Sequence, residues 1–212
     1  MFDLDINIYK KLLDQPLPGE VAQVKMSPSS RFTGLNRPDR ALARNSSVLI
    51  LLFEKEHQVF FPLIRRTTYP GSHSGQISLP GGKSEPCDAS PSDTALRETQ
   101  EELGIHPNSI EIIGNLSPLY IPVSNFNVQP IIGWWHRPHP YCPDAREVEH
   151  IIEMPVKQLI KQDCPQTFSQ LINNQEVISP FYHHEGQIIW GATAMILSEF
   201  RELLLSGKVI GV

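Results

Sequence analysis

From Pro80 to Ile105 the chain reads PGGKSEPCDASPSDTALRETQEELGI: a diglycine turn, an acidic polar loop and a glutamate-rich segment without a break. The rest of the chain has to fold so as to hold this stretch. Its second half predicts a helix. Ser92 or Asp93 can cap the start, strong helix formers fill Ala95 to Leu103, and Gly104 supplies the stop. Glu98, Glu101 and Glu102 then stand at i, i+3 and i+4 on one side, with Ala95, Leu96, Thr99 and Leu103 on the buried side. Three like charges this close repel one another and raise each other's pKa unless a cation sits between them. A hard divalent ion, Mg²⁺ or Mn²⁺, prefers oxygen ligands and keeps room in its shell for substrate phosphates. Taken alone, such a spacing also serves as a solvated helix face. Here Arg97 can pair with Glu101 at i+4, and Gly81 and Gly82 bring bare backbone up to the loop.

The run Arg97-Glu98-Thr99-Gln100-Glu101-Glu102-Leu103-Gly104-Ile105 resembles the second half of the Nudix hydrolase signature, G-x5-E-x7-R-E-U-x-E-E-x-G-U, where U is a bulky apolar residue. Thr99 replaces an apolar U, and fourteen residues separate Gly82 from Arg97 where the signature has thirteen. The loop thus carries one extra residue, with Asp88 or Glu85 as the acidic substitute for the first signature glutamate. The approach to the signature is similar to that of one branch, the coenzyme A pyrophosphatases, which carry L-L-T-x-R-S-x3-R-x3-G-x3-F-P-G-G. Laid on this chain without gaps, the pattern matches at Leu63, Arg66, Gly75, Pro80, Gly81 and Gly82 and departs at Pro62, Ile64, Thr67, Gly71 and Leu79. Gly71 removes an arginine that could contact a substrate phosphate. The added loop residue, the stretch His73-Ser74-Gly75-Gln76 and the later IPVSNF within Tyr120 to Phe126 also look like this branch.

A length of 212 residues suits one domain with an ample core, and no repeat or low-complexity tract marks a second. Residues 1–45 read as an N-terminal extension and 46–212 as the catalytic core. The net charge of −5 argues against a protein that grips nucleic acid backbones. No twenty-residue apolar span occurs, and the acidic start Met1-Phe2-Asp3-Leu4-Asp5 is unlike a signal peptide, so the expected location is cytoplasmic, away from membranes. Cys87, Cys142 and Cys164 are odd in number and form no C-x-x-C pair, which excludes a disulfide framework and a thiolate zinc site.

Ile6 to Asp14 predicts a helix with Ile6, Tyr9 and Leu13 inward, and Glu20 to Lys25 a short strand. Ser29 to Arg44 is polar and basic, a solvated loop or a lid for a polyanionic substrate. Ser47 to Phe53 and Val59 to Ile64 form a hairpin. Ser109 to Leu116, Val128 to Trp135 and Glu147 to Glu153 read as strands, and Pro130 marks its strand as an edge or a bulge. Pro155 opens a short helix, Phe168 to Ile178 is ambiguous, and a strand at Gln187 to Trp190 precedes an amphipathic helix from Ala194 to Leu205. Pattern alone supports an α/β or α+β chain. The resemblance implies a mixed sheet between helices, a Nudix-like α/β/α sandwich with an N-terminal helical extension.

The resemblance implies a hydrolase of phosphoanhydride bonds acting on a small molecule with a pyrophosphate linkage. Coenzyme A, split to 3′,5′-ADP and 4′-phosphopantetheine, is the leading substrate. ADP-ribose or another nucleoside diphosphate derivative is the alternative, and a non-catalytic nucleotide sensor is a second one. Glu98, Glu101 and Glu102 would bind Mg²⁺ or Mn²⁺, with the Gly82 carbonyl completing the shell. Arg97 would orient a carboxylate, and Glu147, ahead of Glu149 and Glu153, would act as base or fourth ligand. Arg66, His73, Gly75 and Gln76 would contact substrate. Trp134, Trp135 and Trp190 default to core packing. Neither nucleic acid nor membrane is expected as a partner, and a homodimer is possible.

Overall fold

A computed structural model describes residues 5–30, 39–68, 75–162, 166–172 and 175–207. The chain opens with helix α1 (Ile6–Leu13), capped by the Asp5 carboxylate on the Asn7 N–H. Tyr9 and Leu12 are its buried residues, and the Tyr9 ring lies 5.7 Å from that of Trp134. The expected strand over Glu20 to Lys25 is instead helix α2 (Gly19–Gln23), continued by a 3₁₀ turn at Val24–Met26. Ala22, Gln23 and Met26 are buried while Val21 is exposed, so the burial follows a helical period that the weak alternation concealed.

Strand β1 (Arg44–Lys55) is the spine of the molecule. It turns through Glu56 and His57, both in the left-handed region, into β2 (Gln58–Arg66), giving the expected hairpin. Then come β3 (Ile77–Ser78), β4 (Gly81–Lys83), helix α3 (Pro91–Leu103), β5 (Ile110–Asn115), β6 (Leu119–Ile121), β7 (Phe126–Trp135) and β8 (Val148–Pro155). The first half of β1 lies between β4, antiparallel, and β7, parallel. The far half of β1 pairs with β2, which carries β3 and β8. This makes an eight-stranded mixed sheet.

Residues of β1 alternate between two cores. Ile50 and Leu52 join Tyr9, Leu12 and Phe200 on one face, whereas Leu49, Leu51 and Phe53 join Ala95 and Leu103 of α3 on the other. That is the expected sandwich. Of the two readings of Pro130, an edge or a bulge, the edge fails, because β7 has neighbours on both sides; the ladder beside Pro130 is instead interrupted. Pro130 pairs with Val48 on one side, and on the other it falls between β6, which ends its pairing at Val128, and β5, which begins at Ile131. Its missing N–H is tolerated because the neighbour changes there.

Helix α4 (Val156–Lys161) follows β8 as expected. The ambiguous segment is a hairpin, β9 (Gln166–Ile172) and β10 (Gln175–His184), extended by β11 (Gln187–Trp190) into a three-stranded sheet. Helix α5 (Gly191–Ser206) is buried on most sides rather than amphipathic. Its polar residues find partners inside: Ser198 donates to the Ala22 carbonyl, and Arg201 to that of Ile160. The Glu199 carboxylate accepts from the N–H groups of Gly19 and Ser117 and from the Gln23 amide. These bonds remove the penalty of burying polar groups and tie α2 to α5.

Candidate active site

Helix α3 starts earlier than its composition suggests. Ser90, not Ser92 or Asp93, is the N-cap, accepting from the Asp93 N–H, and Pro91 takes the first helical turn, where no amide donor is needed. Gly104 ends it at φ 72°. Thr94, Ala95, Thr99 and Leu103 face the sheet, and the Thr99 hydroxyl donates back to the Ala95 carbonyl at 2.7 Å, so a polar residue fits a buried position. Glu102 is buried with them, its side chain 1% exposed, while Glu101 is open to solvent.

What receives Glu102 is the diglycine strand β4. The Gly81 N–H donates to Glu102 Oε2 at 2.8 Å, and Arg66 Nη1, from the end of β2, lies 3.3 Å from Oε1. Gly81 has φ 148°, and a Cβ there would stand 2.3 Å from the Ser47 carbonyl oxygen, so only glycine fits. Burial pushes the Glu102 carboxyl up to about 8; Gly81 and Arg66 oppose the shift, and Glu98 and Glu147 add to it. Glu98 is also raised, chiefly by burial, with Arg97 opposing and Glu101 and Glu147 reinforcing.

Arg97 gathers the remaining acids. Its Nε and Nη2 each lie 3.0 Å from an Asp88 oxygen, and Nη1 reaches Glu98 at 2.9 Å and Glu101 at 3.1 Å. Nη2 also donates to the Lys83 carbonyl at 3.0 Å, fixing the helix to β4. Asp88 further accepts from the Glu85 N–H and the Thr94 hydroxyl. The Arg97 hydrogen bonds hold the Asp88 carboxyl well below the usual carboxylate range. Of the two candidates for the displaced loop acid, Asp88 is thus the one on the arginine. Thr94, Ser84 and the Lys83 carbonyl belong to this network and had no signal in the sequence beyond their nearness to it.

Glu147 is exposed and close enough to Glu98 and Glu102 to raise both. Its own carbonyl accepts from the Thr67 N–H, which sets it beside the end of β2. Glu149 and Glu153 are engaged elsewhere, with Arg65 and with Lys55 and Tyr141. Gly75 and Gln76 close the approach segment back on β2: the Gly75 N–H reaches the Thr67 carbonyl, and the Gln76 carbonyl accepts from the Arg66 N–H. Gly71 and His73 lie outside the described residues, as do Arg31, Arg37 and Cys164. Trp134 and Trp135 are core residues, and Trp190 is half-buried, its ring 5.5 Å from that of Phe168.

Among the described residues no three acidic, histidine or cysteine side chains converge as a ready cage for a metal ion, because Arg97 and the Gly81 N–H hold the carboxylates. The donor set nevertheless suits a hard divalent cation. Glu98 and Glu102 are carboxylates made costly first by burial and then by neighbouring carboxylates, Glu101 and Glu147 for the one and Glu98 and Glu147 for the other, and a cation with oxygen preference relieves that cost.

The mixed sheet lies between helical layers, with the acidic helix locked to its diglycine strand. Residues 43–186 match the NUDIX domain, and the chain belongs to the Nudix hydrolase family. Nudix hydrolase 15, mitochondrial, of Arabidopsis thaliana is 30% identical over 87% of this chain and 67% of its own. Nudix hydrolase 22, chloroplastic, of the same plant is 30% identical over 76% of this chain, which spans 55% of that relative's length. A crystal structure of a Nudix hydrolase from M. smegmatis, RenU, has the same fold, with TM-score 0.50 and 14% identity over 77% of this chain and 87% of that one. Among the described residues no helix is long and apolar enough to cross a membrane.

Proposed function

We propose that the chain hydrolyses the pyrophosphate linkage of coenzyme A or its derivatives, with Mg²⁺ or Mn²⁺, giving 3′,5′-ADP and 4′-phosphopantetheine. The supporting observation is that Arg66, a residue of the approach segment shared with the coenzyme A branch, reaches the Glu102 carboxylate of the acidic helix. The segment that resembles a substrate-selecting motif and the helix that resembles a metal site therefore meet in one place.

In this reading Glu98, Glu101 and Glu102 hold the cation, with the Gly82 carbonyl completing its shell. Bound there, a divalent ion neutralises charge growing on the pyrophosphate oxygens and lowers the pKa of an attacking water. Arg97 keeps Glu98 and Glu101 aimed, and Asp88 keeps Arg97 in place. Glu147, exposed beside Glu98 and Glu102, takes the proton of the attacking water. Arg66, Gly75 and Gln76 border the entry for substrate, so positioning and electrostatics carry the catalysis. The odd number and wide spacing of the cysteines suit a reducing compartment such as the cytoplasm.

Incubation with coenzyme A and with ADP-ribose, each with Mg²⁺ or Mn²⁺ and with separation of the nucleotide products, tests the proposal. The expected result is 3′,5′-ADP from coenzyme A. Cleavage of ADP-ribose alone moves the chain to the nucleoside diphosphate sugars, and binding without turnover of either makes it a sensor.

A further inference from the structure

The odd-numbered residues of β1 face the acidic helix. Leu49, Leu51 and Phe53 pack with Ala95 and Leu103 of α3, and Ser47 is the partner of Gly82, against which Glu98 lies. Strand alternation carries the same face on to Asn45. The Ser84 N–H donates to the Asn45 carbonyl and the Ser84 hydroxyl accepts from Thr94 of α3, so Asn45 stands beside the N-terminal end of that helix. It is the diagonal neighbour of Gly82, at a separation of roughly 7–8 Å. On its other side Asn45 pairs with Asn127 of β7, and Asn127 with Tyr120 of β6. Leu119 and Ile121, on either side of Tyr120, turn to the opposite core. Asn45, Asn127 and Tyr120 therefore form one row across three strands, on the sheet face that carries the acidic centre.

This row is open. Asn45 is exposed and Asn127 half-buried, and neither carboxamide makes a hydrogen bond among the described residues. The Arg40 guanidinium lies 5.2 Å from the centroid of the Tyr120 ring and makes no ion pair among the described residues. A turn holds it there. Asn125, at φ 50°, accepts from the Tyr120 hydroxyl at 3.0 Å, donates to the Leu42 carbonyl at 3.3 Å and takes the Arg44 N–H on its own carbonyl. The IPVSNF run thus ties the Arg40 segment to Tyr120. Two neighbouring carboxamides present donors and acceptors side by side, which matches the edge of a nucleobase, and a guanidinium held over an aromatic ring offers a surface on which its flat face can stack. A flexible pantetheine chain has no such face to match.

We propose that Asn45, Asn127 and Arg40 form the subsite for the adenine base of the substrate, the two amides reading its edge and the guanidinium covering its face. The subsite deepens the reading of the substrate given above and rests on it for the position of the pyrophosphate; the diagonal from Gly82 to Asn45 is about the reach of a ribose between its base and its 5′-phosphate. The test does not require turnover. Calorimetry on the whole chain, with Mn²⁺ present, compares 5′-AMP, purine riboside 5′-monophosphate, which lacks the amino group of adenine, and 4′-phosphopantetheine. The variants are Asn45→Ala, Asn127→Ala and Arg40→Gln.

The expected result is that 5′-AMP binds roughly tenfold more tightly than the purine riboside nucleotide, the worth of its extra hydrogen bond. That preference shrinks in Asn45→Ala and in Asn127→Ala. Arg40→Gln weakens both nucleotides alike and keeps their ratio, because stacking does not sense the amino group. Binding of 4′-phosphopantetheine is indifferent to all three. Asn45 and Arg40 are exposed, so their variants do not depend on a folding defect. Equal affinity for the two nucleotides, a preference that survives both asparagine variants, or variants that weaken 4′-phosphopantetheine in place of 5′-AMP overturns the proposal. Coenzyme A left uncleaved while the preference behaves as expected refutes the substrate assignment and leaves the base subsite standing; cleavage with a preference indifferent to the asparagine variants does the reverse.

Discussion

Gly82 and Glu98 share the space of a single side chain: a Cβ on Gly82 would stand 2.4 Å from the Glu98 carboxyl carbon. The carboxylate lies against bare backbone on the open edge of the sheet. Gly82→Ala must therefore push the end of Glu98 aside without disturbing the core. Metal-dependent hydrolysis is expected to fall about a hundredfold, the cost of displacing a reacting group by roughly 1 Å, while the thermal midpoint moves little. Hydrolysis at the parental rate would show that the position of Glu98 is immaterial.

Glu102 predicts how the metal-free protein responds to pH. Its carboxyl titrates near 4.5 when unfolded and is pushed up to about 8 by burial in the fold. Between those values the folded state binds the proton and the unfolded state does not, so stability from this group is full at low pH and lost as pH rises towards 8. Thermal unfolding of the metal-free chain should fall across that window, and Glu102→Gln should flatten the slope. Mn²⁺ should raise the midpoint more at the upper end than at the lower, because binding requires the ionised carboxylate.

Asp88 and Glu85 are separated by one pair of variants. Asp88→Asn leaves Arg97 without its two-pronged partner and is expected to cost about 2 kcal/mol, a fall of roughly 4–8 °C in the thermal midpoint. Glu85→Gln should change the midpoint by less than about 1 °C, since an exposed carboxylate is being replaced. Equal effects would mean that the loop acid is not Asp88.

Glu147 is distinguished from its neighbours on β8 by what it faces. Glu147→Gln is expected to lower kcat about a hundredfold or more with KM little changed, whereas Glu149→Gln, which removes a surface partner of Arg65, leaves both near the parental values. If Glu149→Gln is the damaging variant, the base has been misplaced by one turn of the strand alternation.

The acidic helix, its Gly104 stop, the β1–β2 hairpin and the strand that begins just after Glu147 were legible because each is a local pattern: a 3.6 or 2.0 period, a turn residue, a cap. The same locality misled at Glu20 to Lys25, where weak alternation hid a helix, and at Pro130 it left an edge and an interrupted ladder undivided, since only the tertiary structure shows β6 giving way to β5 beside it. α5 looked amphipathic because its polar residues were counted as solvent-facing, when their partners come from α2, α4 and the turn before β6.

By itself the sequence determined that three glutamates share a helix side behind a diglycine turn, since spacing along one helix needs no distant contact. Tertiary structure alone decided that they are not equivalent. Glu102 is buried against Gly81 and Arg66, Glu98 is half-withdrawn against Gly82, and Glu101 stays in solvent. The same folding brings Glu147 and Arg66 to that place from strands that pair only after the chain has closed. Burial and long-range charge, which set those differences, depend on what lies across the sheet, and no local pattern carries that information.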